Sequence, residues 1–466
     1  MLRRRTFLGA AVLALAVMGA RVEADELPIP VQSERLDNGL RVILSPDHSA
    51  PTVAVAVYYD VGSRVEERGR SGFAHLFEHM MFEGSANVPK GEHFRHISTR
   101  GGSLNGTTNP DRTNYFETLP ANALEVGLFL EADRMRSLAI TAENFENQRQ
   151  TVMEERRQSY ENRPYMLSFL RRDELAFQGY FPYEHSTIGD MTDLRAASLA
   201  DVRAFHDRYY APDNAVLSIA GDFDPAQAME MVRRHFAMIP ARNAPRWSDP
   251  GFAGQSEPRA ETMTDTLARS AAFHVLWHVP ARRTPDHYAL EILATVLADG
   301  ESSRLHQTLV KEREILADIS LETDDRRGPE LFIAFGVMAG NHTGAEARTV
   351  IDETLRSVAQ SGITARELDK ARNRFRHRFV FGLQSNLARA RYLAEFEMYD
   401  GNAALLRTEL DRYLAVSLAD VQRVARAWLD PARRVVLHVT PPPPSVAPPA
   451  PRTPRTPRAA RPGAAR

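Results

Sequence analysis

Ser198-Leu-Ala-Asp-Val202 recurs in this chain as Ser417-Leu-Ala-Asp-Val421, and at the same offset Tyr210-Ala-Pro-Asp-Asn-Ala-Val-Leu217 lies over Leu429-Asp-Pro-Ala-Arg-Arg-Val-Val436. Both copies read as a helix, a proline stop and an apolar strand. Upstream, the stretch from Ile140-Thr-Ala-Glu143 to Glu155 lies over that from Ile363-Thr-Ala-Arg366 to Arg378. Earlier still, Thr52 to Asp60 and Ala271 to Val279 are alternating or apolar strands, each followed by a helical pattern that ends in Gly84-Ser85 or Gly300-Glu301. Four matches in one order indicate a duplication. Each half runs strand, helix, strands, long helices, helix, strand. That order predicts an α+β fold of two homologous lobes, each a mostly antiparallel sheet covered by helices.

The chain ends divide off from these halves. Arg3, Arg4 and Arg5 precede an apolar stretch from Phe7 to Ala20, and Val22-Glu23-Ala24 offers a small-residue cleavage site. This reads as a signal peptide for export, with a periplasmic destination. The apolar run is too short for a comfortable membrane span. Arg4-Arg5-Thr6-Phe7-Leu8 resembles a twin-arginine signal, so the ordinary secretory and the twin-arginine routes both stay open. At the other end, Pro441 to Arg466 holds ten prolines, five arginines and no acidic residue, a composition that cannot build a core. The resulting partition is a signal over 1–24, a metal-binding lobe over 25–240, a Pro/Gly/Ser/Asn-rich linker over 241–259, an inactive homologous lobe over 260–440 and a disordered tail over 441–466. The formal charge is −2. A mildly acidic body with a short basic tail does not suit nucleic-acid binding. Cysteine is absent, which excludes disulfides, thiolate ligands and a cysteine nucleophile.

The chemistry sits in Gly72-Phe-Ala-His75-Leu-Phe-Glu78-His79-Met-Met-Phe82. Phe73, Leu76, Phe77 and Met80 form an apolar stripe, so this segment is expected on a buried helix. Positions four apart share a helix face, which lets His75 and His79 aim both imidazoles at one ion. Glu78 borders that face, poised for an ion-bound water. A buried Glu flanked by two His is costly unless something compensates it, and a metal does. A catalytic zinc takes three protein ligands, and Gln150-Thr-Val-Met-Glu-Glu-Arg-Arg-Gln158 offers Glu154 and Glu155 as the third, with Glu146 and Glu161 competing. His93 and His96, set among Lys90, Glu92, Arg95 and Arg100, are expected at a solvated surface. Counting back from Gly84 and Gly300, the second half puts Glu291, Ala294 and Thr295 opposite His75, Glu78 and His79, and Arg378 opposite Glu155.

From about Glu34 to Val439 the chain resembles the pitrilysin–insulinase (M16) family of zinc metallopeptidases, in its short, processing-peptidase-like bacterial branch. The resemblance is carried by Leu36-Asp-Asn-Gly-Leu-Arg-Val42, the HxxEH run, Gly101-Gly-Ser-Leu-Asn105, Val152-Met-Glu-Glu-Arg-Arg157, Tyr210-Ala-Pro-Asp-Asn214 and Gly221-Asp-Phe-Asp224. It implies a zinc endopeptidase with one Zn²⁺ per chain, and the family's ligand spacing selects Glu155 over Glu154. It implies a clamshell of four lobes, hence a dimer of short chains. It also implies that peptide substrates add to a sheet edge beside the metal, here Ser103, Leu104, Asn105, Gly106 and Thr107. Members with a competent second half carry an Arg and, further on, a Tyr that reach the substrate. This chain has Val310 and Ala317 at those positions, while Ser302-Ser-Arg304-Leu305 matches a signature read as structural. A partner subunit carrying the Arg/Tyr pair is therefore expected, otherwise a homodimer. Gln148 stands where several members have a second acid. The rival readings are a non-catalytic scaffolding or chaperone-like subunit and a metal-storage protein.

Overall fold

A computed structural model describes residues 28–255 and 257–443. The expected signal peptide and nearly all of the Pro/Arg-rich tail lie outside them. The first sheet contains β1 (Gln32–Arg35), β2 (Arg41–Pro46), β3 (Thr52–Tyr59), β4 (Ser103–Thr108), β5 (Thr113–Pro120) and β6 (Ala215–Gly221), in the order β1-β2-β6-β3-β5-β4. The second contains β7 (Arg259–Thr264), β8 (Ala272–Val279), β9 (Leu316–Thr323), β10 (Glu330–Met338) and β11 (Val435–Thr440), in the order β7-β11-β8-β10-β9. Without β1, the two sheets have one connectivity. Each has a single parallel pair in the same place, β2 with β6 and β7 with β11, and every other pairing is antiparallel. The duplication legible in the sequence is thus a duplication of topology, and the α+β expectation holds.

One feature departs from two self-contained lobes. β3 reads Thr-Val-Ala-Val-Ala-Val-Tyr-Tyr, and every residue after Thr52 is buried. A strand apolar on both faces needs a cover on each. On one face the first half supplies its own, with Val55, Val57 and Tyr59 in one buried cluster with Leu128 and Met135 of the Leu124–Ser137 helix and Leu76, Phe77 and Met80 of the Phe73–Met80 helix. On the other face lies the Asn386–Asp400 helix from the second half. Its Ala390, Leu393, Ala394 and Phe396 pack on Ala54, Ala56, Tyr58 and Val216. The exchange is reciprocal. Leu175, Ala176, Phe177 and Tyr183 of the first half pack on Leu276, Leu331, Ile333 and Val435 of the second sheet.

A polar junction pins the halves together. Asp111, buried just after β4, accepts from Arg64 Nη1 at 2.7 Å, Tyr183 Oη at 2.9 Å and the backbone N–H of Arg327 at 2.9 Å. Arg327 also reaches Asp60 at 2.9 Å. Among the described residues no helix is long and apolar enough to cross a membrane.

Candidate metal centre

The motif forms a helix over Phe73–Met80, and its buried face is the stripe Phe73, Ala74, Leu76, Phe77 and Met80. It starts abruptly. Gly72 takes a left-handed conformation (φ 88°) with no side-chain cap. A Cβ on Gly72 would lie 2.8 Å from the Cα of Gly189, and one on Gly189 would lie 2.5 Å from the Cα of Gly72, so two glycines are needed for this approach. The open N–H groups are met from outside the helix. Glu66, fully buried, accepts from Gly72 N at 2.9 Å and Ala74 N at 2.7 Å, and its carboxylate lies 2.9 Å from His185 Nε2. A carboxylate at a helix N-terminus is also favoured by the helix dipole. Burial raises the Glu66 pKa; burial also pulls at His185, but Glu66 outweighs it and raises that imidazole.

His75, His79 and Glu155 come together, each with a ligand-type atom within 4.8 Å of the others. Glu155 sits in the last turn of the Ala142–Arg156 helix, its Oε2 3.3 Å from His79 Nε2 and 3.8 Å from His75 Nε2. The competing carboxylates point elsewhere. Glu154 binds Arg157 and Gln158, Glu146 binds Arg149 and Gln150, and Glu161 binds Arg156. Burial and the neighbouring His79 lower the His75 pKa to about 4, which leaves it the neutral imidazole a metal requires. Burial also pulls down His79, but Glu155 and Glu78 outweigh it and raise the pKa. In return, His79 holds Glu155 below the usual carboxylate range.

The surroundings fit a divalent ion. The three groups offer only nitrogen and oxygen, a set that suits zinc. His79 Nδ1 donates to Gln148 Oε1 at 3.2 Å, which keeps Nε2, the nitrogen that faces Glu155, available to an ion. Gln148 is held in turn, its Nε2 donating to Glu83 Oε1 at 2.7 Å. An acid at this position would face the Glu83 carboxylate, which gives the glutamine a physical reason. Glu155 is 40% exposed, so the cluster opens to solvent on one side.

Glu78 lies against β4. Its Oε2 accepts from Thr108 Oγ1 at 2.5 Å, and a Cβ on Gly106 would come 3.1 Å from Glu78 Cγ. Burial raises its pKa, against the pull of Thr108 and His79. β4 occupies the end of the sheet order, so Ser103, Leu104, Asn105, Gly106 and Thr107 form an edge beside the carboxylate. Asn105 spends its Oδ1 on the N–H of Gly106 at 2.9 Å. Thr107 is tied down by Asn114 and Arg112.

One expectation fails. His93 is not solvated but buried beside Phe82, because it shares a face of the Glu92–Ser98 helix with the fully buried Ile97. His96 on the same helix is half-buried. In the second half the matching positions gather no such set. Glu291 is satisfied by Thr323 and Tyr413, Ala294 and Thr295 are buried, and Arg378 pairs with Asp299. Arg304 binds Glu367 with two bonds of 2.6 and 2.7 Å, as a structural signature should. Glu66, His185, Thr108 and the role of Gln148 escaped the sequence reading. The one available signal was a helix start at Gly72 with no capping side chain of its own.

Comparison with known proteins gives the family. Residues 41–187 match the family model of insulinase (peptidase family M16), and residues 196–375 match that of the peptidase M16 inactive domain. The chain is 29% identical over 448 residues to zinc protease PqqE of Helicobacter pylori, covering 94% of this chain and 99% of that protein. It is 28% identical over 408 residues to uncharacterized zinc protease ML0855 of Mycobacterium leprae, covering 85% and 88%. The crystal structure of a protease from Helicobacter pylori matches with a TM-score of 0.83 and 27% identity, covering 89% of this chain and all of that one. A peptidase M16 inactive domain from Pseudomonas fluorescens shares the fold, with a TM-score of 0.79 at 17% identity over 89% and 98% of the two chains. With matching models over both halves, relatives along nearly the whole length and the duplicated two-lobe fold, this chain belongs to the M16 peptidase family.

Proposed function

We propose that this chain is a zinc-dependent endopeptidase that cleaves peptides or unfolded protein segments outside the cytoplasm, as the metal-bearing subunit of a dimer. The observation that carries the reading is the convergence of His75, His79 and Glu155 beside Glu78, with Glu78 lying along the sheet edge β4. The relatives named zinc proteases support it. His75, His79 and Glu155 would hold one zinc ion, which when bound supplies a Lewis acid that acidifies water and polarises a carbonyl. Glu78 then takes the proton of the attacking water and passes it to the leaving amine. Thr108 holds one carboxylate oxygen in place. β4 would align an extended substrate by main-chain pairing, which tolerates many side chains.

The dimer rests on what the second half lacks. Val310 is half-buried against its own core and Ala317 is exposed at the start of β9, so neither position offers a group to a substrate. An unlike partner bearing the Arg/Tyr pair would supply it, whereas a homodimer would not. The same vacancy favours the second reading, a non-catalytic scaffolding subunit. Assays of the chain alone and mixed with such a partner, on an unfolded peptide of moderate length, separate these outcomes. Chelator-sensitive cleavage restored by zinc supports the proposal. No cleavage under either condition refutes it.

A further inference from the structure

A second cluster of metal-type side chains lies in the half without the HxxEH motif. His287, in the first turn of the Pro285–Ala298 helix, meets Asp325 from the β9–β10 loop and Glu330 from the first position of β10. Each offers a nitrogen or carboxylate oxygen within 4.8 Å of the others. His287 and Asp325 line a cavity of about 200 Å³ that also contains Glu395 and Glu409. Glu330 is fully buried, and while its Oε2 lies 2.9 Å from His287 Nδ1, its Oε1 is buried with no hydrogen-bond partner. Native proteins seldom leave a buried carboxylate oxygen unpaired, and a bound cation is one way to satisfy it.

The charges lean the same way. Arg282 and Arg283 enter the cavity, and their shortest bonds go to acids outside the cluster. Arg282 binds Asp400 at 2.8 Å and touches Asp325 Oδ1 at 3.4 Å, and Arg283 binds Glu409. Glu330 Oε1 is left over, and Asp325 is exposed. Asp325 also has a left-handed backbone (φ 41°), uncommon for a residue other than glycine and tolerated where surroundings hold it.

We propose that His287, Asp325 and Glu330 bind a second divalent cation of the zinc or manganese class, the ions that one imidazole and two carboxylates suit. The ion clamps the β9–β10 loop. That loop carries Arg326, Arg327 and Gly328, which grip Asp173, Asp60, Asp111 and Tyr183 of the first half. Asp111 lies in the turn that follows Thr108, the partner of Glu78. The second site therefore braces the junction behind the first from the opposite half.

The test uses the full chain with the first cluster removed, as a His75→Ala/His79→Ala double variant, stripped by chelator and titrated with Zn²⁺ alone and with Mn²⁺ alone. Metal is counted per folded chain after gel filtration. The proposal expects close to one equivalent, and a Kd raised at least roughly tenfold by Asp325→Asn, which alters an exposed residue and leaves the core intact. Adding His287→Ala should abolish binding. Hydrogen exchange should slow over residues 324–329 when metal is added to the double variant and not to the triple. A double variant that binds neither metal overturns the proposal, as does binding unchanged by both Asp325→Asn and His287→Ala.

Discussion

Replacing Gln148 by alanine tests how the first cluster is held. The side chain does two things: it accepts from His79 Nδ1 at 3.2 Å and donates to Glu83 Oε1 at 2.7 Å. The first bond fixes the ring and the tautomer of a proposed ligand, and losing such a partner typically costs about 10- to 100-fold in metal affinity. That equals roughly 1.4–2.7 kcal/mol of binding free energy. The fold should barely change. Glu83 keeps its ion pair with Lys90, Asn144 still binds the Glu83 carbonyl, and alanine suits a helix interior. The assay is competition for Zn²⁺ against a chromogenic chelator, with Gln150→Ala as control, since Gln150 binds only Glu146 on the exposed side of the same helix. Gln148→Ala should weaken binding tenfold or more and Gln150→Ala should not. Equal affinities in wild type and Gln148→Ala would refute the reasoning, provided His79→Ala loses the metal in the same assay.

Three further outcomes follow from the same geometry. Glu155→Gln should lower zinc occupancy by metal analysis, while Glu154→Gln, which disturbs only Arg157 and Gln158, should leave it unchanged. Glu66→Gln removes the charge that faces His185 and serves two helix N–H groups, so denaturant unfolding should show a loss of about 2–3 kcal/mol. Burial and Arg242 hold His206 down to a pKa of about 4 against an ordinary 6.5, so the unfolded chain binds its proton first. This group's contribution is whole above pH 6.5 and is lost as pH falls toward 4, by up to about 3 kcal/mol; His206→Phe should flatten that acid loss in melting curves.

Much of this was legible because it is local or repeated. His75, Glu78 and His79 share one helix, and helical spacing alone brings them to one side. The common topology of the sheets follows from repeats such as Ser198–Val202 and Ser417–Val421. Glu155 needed the family resemblance, because Glu154 and Glu155 are equivalent to composition and only the helix rotation distinguishes them. Long-range features stayed hidden. That the Asn386–Asp400 helix covers β3 depends on which apolar faces meet, and an apolar strand shows that a cover exists without naming it. Glu66 reaches Gly72 and Ala74 around a loop and carries no motif. His93 misled because its polar neighbours mask the helix face it shares with Ile97.

The central claim is that Glu78 acts as the base beside a metal held by its neighbours. Zinc content and peptide hydrolysis measured together on Glu78→Gln test it most directly, using the active assembly, with His75→Ala alongside. The account predicts that Glu78→Gln keeps the first-site zinc yet loses at least ~10²-fold in kcat, the scale of a missing general base. His75→Ala should lose both. A Glu78→Gln chain that hydrolyses peptide at the wild-type rate would contradict it.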